Sequence, residues 1–298
     1  MKHASHPSAQ VASSTGVVMQ QISRSHMLSA VAVLSFLGGA SAQSADAAGD
    51  LVVPQPIQDM LIPHVARQRP PSLLASLSAQ LLIDHKGNFG RKVEAKIDFS
   101  MSRLENGLTG SQSTVVMDGG KGVGRGTGLS LCGLIGLLSE SQSSTDTSTT
   151  TTMPIGKVFL PFAIKSGVDF SNRRRVVAIE TDAPSLCNPI SGQEFTLKTE
   201  EELTIKTSGI FGRTNQIKRV QESKCRASAD LKPASQIGAS LAGDYREVQC
   251  DTVHEDGKTS RTRYAYLVAS SFYLPIEESN EWQTTTTGYP GVSYVKVE

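Results

Sequence analysis

Five stretches of this 298-residue chain combine residue types that could do chemistry. His254, Glu255 and Asp256 are consecutive and supply the types of a general base, an acid and an orienting carboxylate. Glu200, Glu201 and Glu202, and again Glu277 and Glu278, set carboxylates side by side, the groups that hydrolytic acid–base chemistry uses in pairs. Ser293 and Lys296 have the spacing of a Ser-x-x-Lys nucleophile and base. Glycines at 119, 120, 122, 124, 126 and 128, with Lys121 among them, suggest a phosphate cradle.

Each has a plainer reading. Hydrolytic carboxylates are set apart across a cleft, and runs of charge usually face water. The glutamate runs and Arg173, Arg174 and Arg175 are therefore read as solvated strand and turn positions. Ser293 and Lys296 fall in a strand-like tail, where residues three apart point to opposite faces. Lys121 is followed by Gly122 where a phosphate loop needs Ser or Thr opening a helix. The dinucleotide spacing GxGxxG is missing as well, with no βαβ pattern around it, so the glycine stretch is read as a loop. The sequence supports no catalytic residue and no cofactor. With no CxxC or HxxH, and with His64, His85 and His254 far apart, it supports no metal site either.

The cysteines carry more. Cys132, Cys187, Cys225 and Cys250 are an even set, which in an exported chain implies two disulfides. Four cysteines allow three pairings. Cys225 with Cys250 is favoured, because each ends a strand-like segment and the loop between them carries Pro and Gly breaks; Cys132 with Cys187 follows by elimination.

Export is the reading of residues 1–42. Arg24 and His26 precede an apolar run from Leu28 to Leu37, followed by Ala40-Ser41-Ala42, the order of regions in a secretory signal peptide. The run is too short to span a bilayer, which needs about 20 residues. Cleavage after Ala42 is expected, placing the mature chain in a periplasm or outside the cell. The absence of an Asn-x-Ser/Thr sequon after residue 42 is compatible with a bacterial envelope. Lys and Arg total 29 against 28 Asp and Glu, so no basic excess points to nucleic acid.

These residues need elements to hold them. Residues 43–71 mix small residues and prolines, as in an extended arm or linker. Leu73, Leu74, Leu77 and Leu81 recur at helical spacing, suggesting one short helix entered at Ser72. From Lys92 the period becomes two: Val93, Ala95, Ile97, Phe99 and Met101 alternate with polar residues, as in a half-buried strand. The same grammar recurs to the C-terminus, with hairpin signals at Asn106-Gly107 and Asp256-Gly257. About ten strands are expected. The predicted fold is mainly β, an antiparallel meander that is open, curved or barrel-like, in a single domain over 72–298. A mobile Gly/Thr-rich excursion at 118–154 interrupts it, and "LSLCGLIGLL" packs on the core. The sole tryptophan, Trp282, is read as core or edge packing.

The leading functional expectation is a non-enzymatic binding or structural protein of the envelope, holding an apolar ligand or an envelope component against the concave face of a curved sheet. The rival class is a hydrolase assembled from distant residues such as His254, Glu255 and Asp256, and a third is a surface or membrane-interaction protein. An outer-membrane barrel is disfavoured by an aromatic content of 5%.

Overall fold

The computed structural model describes residues 53–65, 72–86, 92–104, 107–117, 122–155, 158–208 and 212–296. The proposed signal segment, residues 1–42, lies outside them. One helix, α1 (Gln55–Val65), precedes twelve strands. These are β1 (Ser72–His85), β2 (Lys92–Arg103), β3 (Thr109–Met117), β4 (Gly122–Leu131), β5 (Ile135–Ile155) and β6 (Val158–Thr181). β7 (Glu194–Thr207), β8 (Arg213–Pro233), β9 (Asp244–His254), β10 (Thr259–Leu267), β11 (Phe272–Asn280) and β12 (Gln283–Lys296) complete the set. Each strand pairs with its neighbour in sequence, and β12 returns to β1 to close a barrel. An even number of strands in a meander makes that closing pair antiparallel, from Leu73 opposite Val295 to His85 opposite Gln283.

Alternation decides which face is which. Ala95, Ile97 and Phe99 on β2, and Phe195, Leu197 and Leu203 on β7, are buried inside the barrel, while Lys96, Asp98, Lys198 and Glu200 face outward.

Three stretches differ from the sequence reading. Ser72 to Leu81 is strand, not helix: Leu77, Ala79, Leu81 and Ile83 turn inward at period two, and the exposed Leu82 on the outer face blurs the pattern. The short helix instead lies inside the Pro-rich arm, at 55–65. The Gly-rich stretch is no loop from Gly122 onward, because every residue from Gly122 to Leu131 lies in β4, paired with β3. The Ser/Thr run that follows lies in β5, and the chain returns along it as the single long β6.

One end of the barrel is plugged. Val53, just ahead of α1, and Ile57 and Leu61 within it pack with Leu108, Leu131, Leu134, Ala183 and Leu186 in one core cluster. The disulfide Cys132–Cys187 ties the β4–β5 turn to the β6–β7 connection. Tyr266 and Tyr273 donate hydroxyl hydrogen bonds of 2.8 Å each to the carbonyls of Cys187 and Leu186, and His64 Nδ1 accepts the Leu186 N–H at 3.2 Å. β11 and β12 pair only from Glu277 to Ser279. Where they part, the segment 234–243 fills in, with the Tyr289 N–H donating to the Ile237 carbonyl at 3.2 Å and the Tyr289 hydroxyl to the Pro275 carbonyl at 2.6 Å.

At the other end the hairpin turns leave a rim. β5 pairs with β4 only up to Thr145 and β6 with β7 only from Phe170, so the β5–β6 hairpin runs on beyond the barrel as a two-stranded ribbon.

Candidate functional site

The lumen is the candidate site, and small residues line part of one wall. β4 turns Gly124, Gly126 and Gly128 inward while Val123 and Arg125 face out, and β5 opposes Gly128 with Ser139 and Gly126 with Ser141. Of these three glycines, Gly128 reaches an opening in the lumen. A cavity of about 70 Å³ lies there, lined by Leu77, Leu81, Phe99, Leu129, Leu138 and Leu274 with Ser111, Gly128, Thr285 and Tyr289.

Beside it is a larger cavity of about 270 Å³, polar in the charged and amide side chains that line it but walled as well by Leu134, Ile135, Leu197, Leu203, Ile205 and Ile217. Asn172, Arg174, Thr199, Glu201, Arg219, Gln221 and His254 line it, and it reaches solvent past the exposed Ile217 and Arg219 near the β7–β8 turn. Thr262, Tyr264 and Glu278 line both cavities.

The charged residues of the polar cavity come from runs that the sequence reading had assigned to solvent. In a strand the middle of three consecutive residues points opposite to its neighbours. Arg173 and Arg175 face out, where they pair with Glu140 and Glu202 at 3.0 Å each, while Arg174 turns into the lumen. Glu200 and Glu202 face out and Glu201 turns in. Arg174 then grips Glu201 with two donors, Nε to Oε2 at 2.8 Å and Nη2 to Oε1, both side chains being under 10% exposed. The alternation rule was available in the sequence and would have placed both residues.

Glu278 is the third inward charge. Glu277 faces out to Arg263 at 3.0 Å; Glu278 stands between Thr262 on β10 and Thr285 on β12, directly opposite each. The row continues around the barrel through Cys250, Cys225 and Phe195 on one side and Ile83 and Val93 on the other. Among these described residues Glu278 is the one titratable side chain, the cysteines being joined. Burial raises its carboxyl above the ordinary carboxylate range, with the Arg174 guanidinium opposing the shift. Burial likewise raises the Tyr264 phenol.

His254, Glu255 and Asp256 are not brought together in the lumen. His254 lines the polar cavity with Nε2 at 3.0 Å from Ser260 Oγ, and burial lowers its pKa, favouring the neutral ring. Glu255 and Asp256 lie exposed in the β9–β10 turn, where Asp256 binds the Lys258 ammonium at 2.7 Å and accepts its backbone N–H at 3.1 Å. Gly257 completes that turn at φ +78°, a conformation glycine takes at no steric cost. Ser293 Oγ bonds Ser76 Oγ across the β1–β12 seam at 2.7 Å. Trp282 is 57% exposed in the β11–β12 turn rather than core. The residues of "LSLCGLIGLL" are mostly buried in the plug.

Cys225 and Cys250 are joined across β8 and β9, and Cys132 is joined to Cys187. Two disulfides are the mark of a chain matured in an oxidising, non-cytoplasmic compartment. No helix among the described residues is long and apolar enough to cross a membrane. The barrel's outer face is charged: Glu247 holds Arg263 and Lys232 at 2.8 Å each, Arg263 reaches Glu277, and Asp251 holds Arg261 at 2.6 Å. A barrel in lipid has the opposite polarity, apolar outside.

The comparisons with known proteins complete the site's description: no family model, no curated protein and no solved structure matches this chain.

Proposed function

We propose that this protein is an exported, non-enzymatic carrier that holds a small, largely apolar ligand in the lumen of its barrel. The observation that carries the reading is the construction of the lumen: a leucine-rich cavity lined on one side by the small residues Gly128, Ser111 and Ser139, a plug of α1 and tethered loops at one end, and a cavity reaching solvent at the other. A protein interior is normally filled to crystal-like density, so a wall of small residues beside a closed core is a built space. The charged outer face favours a water-soluble carrier, and the two disulfides favour the periplasm or the exterior. Cleavage after Ala42 is part of the proposal; N-terminal sequencing of exported material beginning at Gln43 supports it, and recovery of an intact N-terminus overturns it.

Titration with straight-chain alcohols from butanol to octanol, followed by NMR shifts of lumen residues, tests the carrier role. Saturable shifts at Leu81, Leu129 and Tyr289 are expected, and Ser111→Leu, which fills the apolar cavity, is expected to weaken them at least tenfold with the fold retained. No saturable binding, or binding unaffected by the filling variant, overturns the reading.

A further inference from the structure

We infer that Glu278 is the acceptor for a protonated amine on the ligand, so that the barrel takes an aliphatic ammonium compound with its apolar portion in the smaller cavity and its head where the two cavities meet. The inference rests on the carrier reading and adds the chemical class of the head group.

Position is the first argument. Glu278 lines both the smaller cavity and the larger one that holds the charged side chains, so a ligand with a charged head and an apolar portion can reach it from either side. The second is charge. The described titratable groups that face the polar cavity are Arg174 on β6, Glu201 on β7, Arg219 on β8, His254 on β9, Tyr264 on β10 and Glu278 on β11; the apolar one is lined by Tyr264, Glu278, Tyr273 on β11, Tyr289 on β12 and the edge of Glu277, whose carboxylate is paired with Arg263. Arg174 has two donors on Glu201, Arg219 is exposed near the rim, and burial favours neutral His254. No described cation lies within ion-pair distance of Glu278. An isolated carboxylate in such a place is costly unless a cation arrives to pair with it. The third argument is an unpartnered oxygen. Thr285 Oγ1, on the residue directly opposite Glu278, is buried with no hydrogen-bond partner, and Thr285 is 2% exposed. An ammonium brings three donors, enough for a carboxylate and a neighbouring hydroxyl.

Without ligand, burial favours the protonated form of Glu278; binding an ammonium favours the carboxylate. The proton on the Glu278 carboxyl then leaves to solvent as the ligand's N–H⁺ takes its place, and no covalent bond changes. Binding is therefore coupled to proton release.

Three probes of one size separate the possibilities: n-butylamine, n-butanol and butyrate, titrated by calorimetry at pH 6 and 8 in two buffers of different ionisation enthalpy. The amine is expected to bind at least tenfold more tightly than the alcohol at pH 8, to release up to one proton, and to outbind butyrate throughout. Glu278→Gln is expected to erase the amine's advantage over the alcohol, and Glu278→Asp to keep part of it. Equal binding of amine and alcohol by the unaltered protein, or tighter binding of butyrate, overturns the inference and leaves the carrier reading standing. Failure of all three probes to bind overturns both.

Discussion

Cys225 and Cys250 stand directly opposite each other on β8 and β9, with Cα atoms 4.0 Å apart and the disulfide on the lumen side of the wall. The bond staples the two strands in the row that also holds Thr262, Glu278 and Thr285. It fixes the register of the wall on which Glu278's neighbours sit.

Removing that staple with Cys225→Ala and Cys250→Ala together is expected to lower stability by about 3.5 kcal/mol, the chain-entropy value for a separation of 25 residues. Loss of Cys132–Cys187, which spans 55 residues, is expected to cost slightly more, about 4 kcal/mol, and to loosen the plug. Urea melts of the variants under oxidising conditions, with hydrogen exchange at Leu186 as the local probe, measure both. Equal protection of Leu186 in both variants would contradict the plug assignment.

Arg174 and Glu201 answer to a different test. Breaking a buried pair strands a charge, so Arg174→Met or Glu201→Leu alone is expected to destabilise by about 3–5 kcal/mol, whereas the double replacement should cost much less. A double-mutant cycle from denaturant midpoints reads the coupling, and strict additivity would show that the two side chains act independently.

Two carboxylates give opposite dependences on pH. Arg263, and then Lys232, hold Glu247 below its ordinary value of 4.5, so its contribution is present above that value and is lost as pH falls through the lowered folded pKa. Glu278 is raised, so its contribution is fully present below 4.5 and is lost as pH rises through the folded pKa. Glu247→Gln is therefore expected to flatten the acid limb of the stability curve. Glu278→Gln should stabilise the ligand-free protein at pH 8 but not at pH 4. Thermal melts across pH 3–8 decide both, and a stabilisation by Glu278→Gln that is the same at both ends would remove its titration as the cause.

Glycine positions separate packing from conformational freedom. A Cβ on Gly238 would lie 2.3 Å from the Tyr289 carbonyl oxygen in the segment that fills the β11–β12 gap, while one on Gly288 would meet nothing within 4 Å. Gly238→Ala is expected to cost at least 2 kcal/mol and Gly288→Ala to be within about 0.5 kcal/mol of neutral. Comparable melting temperatures for the two variants would argue against that packing.

Much of this architecture was written in period-two alternation. "KVEAKIDFSMS" and "EFTLKTEEELTIKTS" announce β2 and β7, and Asp256-Gly257 marks its hairpin, because local φ/ψ preference and one-sided burial act within a few residues. β1 misled for a local reason as well: the serines between its inward positions and the outward Leu82 let four leucines imitate a helical stripe. The glycines of β4 do alternate, but an inward face with no side chains carries no hydrophobic signal, so a strand that lines the cavity reads as a loop. Strand closure is not local at all, and the pairing of Leu77 with Val292 leaves no trace in either neighbourhood. The site suffered most. Arg174, Glu201 and Glu278 each sit beside like-charged neighbours that face water, and composition alone merges the inward member with the outward ones.

The meander that closes on itself also dictates an order of events. Eleven of the twelve strand pairings join neighbours in sequence and can zip from short turns, each loop closure costing little entropy. The twelfth, β1 with β12, joins residues from 198 positions apart (His85 and Gln283) to 224 apart (Ser72 and Lys296), and gains nothing until the sheet has curled. The last seam to form is thus the one whose opening leaves every hairpin intact. Damage there should speed unfolding while leaving the refolding of the hairpins untouched, and until it closes the nascent sheet has two bare edges on which a second chain can dock.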